Sequence, residues 1–210
     1  GYNNGNSPWV QVYGSNAYIE KAFTYARQYA PKSCKLYYND YNEYWDHKRD
    51  CIISTCKNLY SKGVLDGIGM QSHINADRNG FSGTQAYTTA MQKFLEIGCD
   101  VQVTELDISR ESGKYSETDQ ANKYKDVFQA AINCNTSGKY KGKVTAVCIW
   151  ARMTLIHGSR RKMLRFSTIQ TISQRQLTMH LCRWCLLLIS SHMAAIHLLH
   201  HLLQRKLIQT

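Results

Sequence analysis

The chain has 210 residues and a formal net charge of +11, but the charge is unevenly placed. Residues 1–150 hold 17 Lys/Arg against 15 Asp/Glu, whereas residues 151–210 hold nine Lys/Arg, no acidic residue, six of the eight His and only one of the 13 Gly. A uniformly basic nucleic-acid or membrane-surface protein is therefore excluded for the larger part, and no apolar run reaches the roughly 18 residues that a membrane span needs. Residues 1–150 are expected to form one domain and residues 151–210 an anomalous basic tail. The opening Gly1-Tyr2-Asn3 has no initiator Met and no signal-peptide pattern, so the chain reads as a piece of a longer protein. Eight Cys and the acceptor pattern Asn135-Thr136-Ser137 point to a secreted, extracellular parent. Cys182 and Cys185 make a CxxC with no second ligand pair, so no metal is expected there. Cys134 and Cys148 flank one loop and are candidates for pairing.

In chain order, Asn16 is placed to cap a helix over Ala17–Tyr29 that Pro31 ends, and Leu36–Tyr41 reads as a strand. A helix follows over Asp50–Ser61, with Ile53, Cys56, Leu59 and Tyr60 on one face and Gly63 closing it. Gly67–His73 is the next strand and Thr84–Ile97 the next helix, with Gly98 as its stop. Val101–Ile108 alternates as a strand, and its period of two puts Val101, Val103, Glu105 and Asp107 on one face. Ser116, with Asp119 three positions on, starts a helix to about Asn133. Val144–Trp150 is the last strand. Strands alternating with helices at this spacing predict parallel β/α units, an α/β fold of barrel type.

In such a fold the C-terminal strand ends converge on one site. Those ends carry Asn39, Asp40 and Tyr41, then Gln71, Ser72 and His73, then Glu105 and Asp107, and finally Trp150. Amides, carboxylates and an imidazole hydrogen-bond hydroxyl groups, and aromatic faces stack on the C–H faces of sugar rings. No phosphate loop or nucleophilic Ser motif competes with this set. Taken singly, His73 reads as a satisfied barrel histidine and Trp150 as core; their shared location raises the functional reading.

Three ordered blocks then carry a resemblance: Leu36-Tyr37-Tyr38-Asn39-Asp40-Tyr41-Asn42, Asp66-Gly67-Ile68-Gly69-Met70-Gln71-Ser72-His73 and Val103-Thr104-Glu105-Leu106-Asp107-Ile108. Together they resemble the family-10 glycoside hydrolases, the endo-β-1,4-xylanases. Ser7-Pro8-Trp9 and Tyr18-Ile19-Glu20-Lys21-Ala22-Phe23 are similar to the region after that family's fourth strand. The resemblance implies a partial (β/α)8 barrel, roughly strands five to eight, and retaining cleavage of internal bonds in xylan. It implies Glu105 as nucleophile, His73 and Asp107 as the network orienting it, and Asn39, Asp40, Tyr41, Gln71 and Trp150 at the substrate cleft. Neither cofactor nor metal is implied. The expected partner is xylan, with no nucleic acid or membrane, and other modules joined to the parent by a linker.

Two departures qualify the resemblance. The family's acid/base glutamate sits in a Trp-Asp-x-Val-Asn-Glu block, which these 210 residues lack; by alignment it falls just before Gly1. A retaining enzyme needs that second carboxyl roughly 5 Å from the first, so this chain alone is expected to be inactive. A barrel sheet without its first strands is also expected to expose an unpaired edge and to aggregate. The second departure lies after Trp150, where the family continues with Gly-x-x-Asp-x-x-x-Trp and this chain reads Ala151-Arg152-Met153-Thr154-Leu155-Ile156-His157-Gly158. Read one nucleotide earlier, these codons allow the family loop; Lys162–Arg165 and Gln176–Met179 likewise hide Asn-Ala-Pro-Leu and Ala-Tyr-Asn. The tail is read as the product of a frameshift at codon 151. The competing readings are a non-catalytic xylan-binding fragment, and a basic module for membrane or nucleic acid. Against the latter, Arg and Lys of the tail form no stripe and its aromatics are only Phe166 and Trp184.

Overall fold

The computed structural model describes the backbone of residues 7–154, 163–171 and 187–190, and the side chains of residues 7–150. Cys182, Trp184 and Cys185 lie outside the described residues, as do most of the other tail segments read above. Two helices open the structure, α1 (Pro8–Tyr13) and α2 (Ala17–Tyr29). The short α1 has Pro at its first turn and ends at Gly14 in the left-handed conformation. Sequence patterning missed it, because six residues carry no helical period. The side chain of Asn16 makes no capping bond to α2; Ser15 Oγ accepts the Ala17 N–H instead, at 3.2 Å.

Strands and helices then alternate: β1 (Leu36–Asp40), α3 (Asp46–Ser61), β2 (Gly67–Met70), β3 (His73–Asn75), α4 (Thr84–Leu95), β4 (Asp100–Ser109), α5 (Glu117–Thr136) and β5 (Val144–Thr154). β1, β2, β4 and β5 are parallel neighbours in that order, and β3 runs parallel to β4 beyond the end of β2. α3 begins four residues before the predicted Asp50, because its first turn is Asp46-His47-Lys48-Arg49 and shows no apolar residue to a periodicity count. At α5 the capping box forms as read: Ser116 Oγ accepts the Asp119 N–H at 3.1 Å, and the Asp119 carboxylate accepts the Ser116 N–H at 2.9 Å.

One face of the sheet is apolar and covered by the helices. Phe23, Ile52, Leu59, Phe94 and Val127 from the helices meet Tyr38, Ile68, Met70, Val101 and Val103 from the strands in one buried cluster. The opposite, concave face is polar. Tyr37 Oη lies 3.5 Å from Thr145 Oγ1, Gln102 Nε2 donates to the same oxygen at 3.1 Å, and Thr104 Oγ1 donates to Asn39 Oδ1 at 2.7 Å. Such a polar interior fits a barrel sheet, whose strands turn alternate residues to the axis and to the helices.

Beyond β5 the backbone turns back. β6 (Met163–Thr171) pairs antiparallel with β5, and β7 (Leu187–Ser190) pairs parallel with β1. The edge of β1 expected to stand open is therefore lined by β7. The paired Cys134 and Cys148 are not found either, because Cys134 carries a buried free thiol. Among the described residues no helix is long and apolar enough to cross a membrane, and no group of His, Cys, Asp or Glu is arranged to hold a metal ion.

Candidate active site

The simple alternation read along β4 does not hold. Val101 and Val103 lie in the helix-side core, but so do Leu106 and Ile108, which period two places on the opposite face. The ladder explains the switch. Val103 pairs with Val147 and Leu106 with Ile149, so three steps on β4 face two on β5, a bulge at Thr104–Glu105. A bulge re-aims the side chains that follow it. Here it turns Glu105 and Asp107 to the side of Asn39 and away from the apolar core. Nothing in a period count locates such an extra residue.

Glu105 is held from two directions. Asn39 Nδ2 donates to Glu105 Oε1 at 3.1 Å, and His73 Nε2 faces Glu105 Oε2 at 3.4 Å. His73 Nδ1 in turn lies 2.8 Å from Asp107 Oδ2. A carboxylate only accepts, so Nδ1 is the donor, and this bond fixes the plane of the ring. The Asn39 amide is itself fixed, because its Oδ1 accepts the Thr104 hydroxyl. Room for that pair comes from Gly69: a Cβ there would fall on Asn39 Oδ1 and lie 3.0 Å from Thr104 Cγ2. The elements β1, β2, β3 and β4 thus converge on one carboxylate whose side chain remains about one-fifth exposed.

Asp40 departs from the cleft assignment. It shares a face with Tyr38, and its carboxylate is 1% exposed on the helix side. There it accepts the Tyr38 hydroxyl and the Tyr41 N–H and pairs with Lys48 Nζ at 2.9 Å. The reason is the alternation of β1: Tyr37 and Asn39 turn to the concave face, so Tyr38 and Asp40 cannot. Burial and the neighbouring Asp40 charge both hold the Tyr38 hydroxyl well above its usual range. Tyr41, at the end of β1, is exposed with Lys48 Nζ 4.8 Å above its ring. Gln71 is half-buried between β2 and β3, its N–H donating to Asp40 O at 3.0 Å. Trp150 is 42% exposed on β5.

Sequence reasoning missed Glu43 and Tyr87, which lie buried beside the site with Ser72. Ser72 takes a left-handed backbone (φ 63°) between β2 and β3, so the strand predicted to run unbroken over Gly67–His73 is interrupted there. Asn135 also differs from its reading as a glycan acceptor: Nδ2 donates to Val144 O at 2.9 Å, and Oδ1 accepts the Val144 N–H at 2.8 Å. A glycan on Nδ2 would disturb that clasp.

The parallel β/α units and a carboxylate bracketed by amide and imidazole at the strand ends define a class, the β/α-barrel proteins that carry an acidic site at the C-terminal face of the sheet. Within that class the chain belongs to glycosyl hydrolase family 10, whose model matches residues 2–154. It is 72% identical over 150 residues to endo-1,4-beta-xylanase Y of Acetivibrio thermocellus, covering 71% of this chain and 14% of that protein. It is 41% identical over 145 residues to the bifunctional endo-1,4-beta-xylanase XylA of Ruminococcus flavefaciens, covering 69% of this chain and 14% of that protein. Among solved structures, the CBM22-1–GH10 modules of the Clostridium thermocellum xylanase 10B, complexed with xylohexaose, superpose with a TM-score of 0.68 at 71% identity. That match covers 72% of this chain and 30% of the other. The fold is accordingly part of a (β/α)8 barrel, and the chain spans only a small part of the relatives it matches.

Proposed function

We propose that residues 1–150 are the nucleophile-bearing part of an endo-1,4-β-xylanase that cleaves xylan with retention of configuration. The observation that carries this reading is the double bracketing of Glu105, by Asn39 Nδ2 on one oxygen and by His73 Nε2 on the other. A nucleophilic carboxylate must be ionised and aimed at the anomeric carbon. The Asn39 amide donates to one oxygen and so favours the charged form, the imidazole stands against the other oxygen and limits its direction, and Asp107 holds the imidazole in place. Attack by Glu105 breaks the glycosidic bond and forms a glycosyl ester; water then cleaves the ester. Tyr41, exposed just past the end of β1, and Trp150, exposed within β5, offer faces for sugar rings.

Retention also needs an acid/base carboxyl. Asp107 is engaged with His73 and serves to orient it, so the acid must come from the Asn-Glu block that these residues lack. The chain alone is thus assigned the covalent half of the chemistry and not the protonation of the leaving group. An extracellular parent, as read from the sequence, belongs to this proposal, and appended modules of the kind named in the xylohexaose complex would serve to hold the polymer.

The test is an activated substrate, 2,4-dinitrophenyl 2-deoxy-2-fluoro-β-xylobioside, whose phenolate leaves without protonation. Peptide mass spectrometry should find the sugar on Glu105 and no label in Glu105→Ala. Equal labelling of the variant, or labelling at other carboxylates only, would overturn the assignment.

A further inference from the structure

We propose that Glu43, Ser72 and Tyr87 form a buried clamp that positions His73 for the site, an inference that rests on the reading of Glu105, His73 and Asp107 given above. β2 ends at Met70, paired with Val103, and β3 begins at His73, paired with Asp107. Three steps on one side thus face four on the other, and Gln71–Ser72 absorbs the difference opposite the bulge in β4. Ser72 does so at φ 63°, which is unfavourable for a residue with a side chain. Its hydroxyl supplies the compensation: it lies 3.0 Å from Glu43 Oε1, 2.8 Å from Tyr87 Oη and 3.2 Å from Met70 O. On the other side, Ser72 O accepts the Asp107 N–H at 3.3 Å. The residue next to His73 is therefore tied to the loop after β1, to α4, and to the strand that carries both site carboxylates.

Glu43 is an expensive choice for a merely structural filler. It is 1% exposed, and its Oε2 has no hydrogen-bond partner. Burial pushes its carboxyl up to about 7, against the hydrogen bonds from Ser72 that favour the charged form. The Ser72 turn is what brings the imidazole to Asp107. A supporting shell that fixes a functional side chain to within about 0.5 Å is what such a site requires. Glu43 and Ser72 touch neither substrate nor reacting atoms; they act through His73.

The experiment is ¹⁵N-edited NMR of the imidazole of His73 in the 210-residue chain, with far-UV circular dichroism as the control for folding. In the unsubstituted protein at low temperature the Nδ1–H bonded to Asp107 should appear as a downfield-shifted proton. Glu43→Leu and Ser72→Ala should lose that resonance, and Glu43→Gln should keep it, because the amide oxygen still accepts the Ser72 hydroxyl. If Glu43→Leu does not fold, Ser72→Ala decides, since it keeps the cost of the left-handed backbone and removes only the hydroxyl; Ser72→Gly, which takes that backbone without strain, should restore the signal. An unchanged Nδ1–H signal in folded Ser72→Ala overturns the clamp. Addition of xylotriose to the unsubstituted chain separates the two readings. A His73 signal lost in Ser72→Ala but indifferent to xylotriose supports the clamp and sinks the proposed function; a signal that responds to xylotriose and survives in Ser72→Ala does the reverse.

Discussion

At the scale of single residues, Glu43 has a consequence that reaches beyond the site. Its carboxyl is raised from 4.5 to about 7, first by burial and then by the charge on Asp40, while the Ser72 hydrogen bonds act the other way. Between those two values the native state binds more protons than the unfolded chain. The contribution of this group to stability is therefore full at low pH and falls as pH rises from about 4.5 to about 7, by roughly 3 kcal/mol in all. Urea unfolding at pH 5 and at pH 7.5 should show that loss, and Glu43→Gln should remove this part of the slope. Equal slopes in the two proteins would show that the buried carboxyl is not the source. In the sequence, Glu43 was one acid in a charged stretch beside Asp46 and Asp50, and local pattern gave no sign that it turns inward. Glu105, His73 and Asn39 were legible because strand ends collect site residues. The direction of Asp40 was legible in principle from the alternation of β1, since a residue next to the inward Asn39 must face the helices.

At the scale of elements, two close fits decide how β2 and α5 serve the site. β2 carries Gly69, and the concave face has no room there for a side chain beside Asn39 Oδ1 and Thr104 Cγ2. Gly69→Ala is expected to push the Asn39 amide off Thr104, to release its hold on Glu105 Oε1, and to destabilise the fold by about 1–3 kcal/mol. Chemical denaturation measures the second effect, and the rate of Glu105 labelling by the activated fluoroxylobioside measures the first. A variant with the parent's stability and labelling rate would show that the sheet relaxes around the methyl group. α5 contributes Lys123, fully buried, whose ammonium donates to Ser82 O at 2.6 Å and to Asp77 O at 3.2 Å. It holds the loop between β3 and α4, just after His73 and Ile74. Lys123→Met fills the same space but leaves two carbonyls without that donor, for an expected loss of about 1–3 kcal/mol. Hydrogen exchange should show the loss first in the amides of residues 76–83; global unfolding with that loop still protected would count against the role. The amphipathic periods showed where most of these elements lie. They could not show the bulge in β4 or the break at Ser72, because both depend on the register between strands and not on the order of residues within one.

At the scale of the whole molecule, the family model marks a boundary. It ends at Thr154, and no acidic residue follows Asp126. The sheet changes sense there as well: β1, β2, β4 and β5 are parallel, whereas β6 returns antiparallel to β5. A (β/α)8 barrel continues from one parallel strand to the next through a helix, so an antiparallel return after the last family strand leaves that plan. A chain designed by selection for a basic module would be expected to gather its charges on one face. In the sequence the Lys and Arg residues of the tail are scattered without a period, and we propose that a change of reading frame at codon 151 produced that composition. Resequencing the transcript across codon 151 should then reveal, one nucleotide earlier, an open frame encoding Gly-x-x-Asp-x-x-x-Trp. A clean read of the present frame would make the tail a true segment. Its nine positive charges would then predict binding to anionic surfaces that weakens steeply between low and physiological salt.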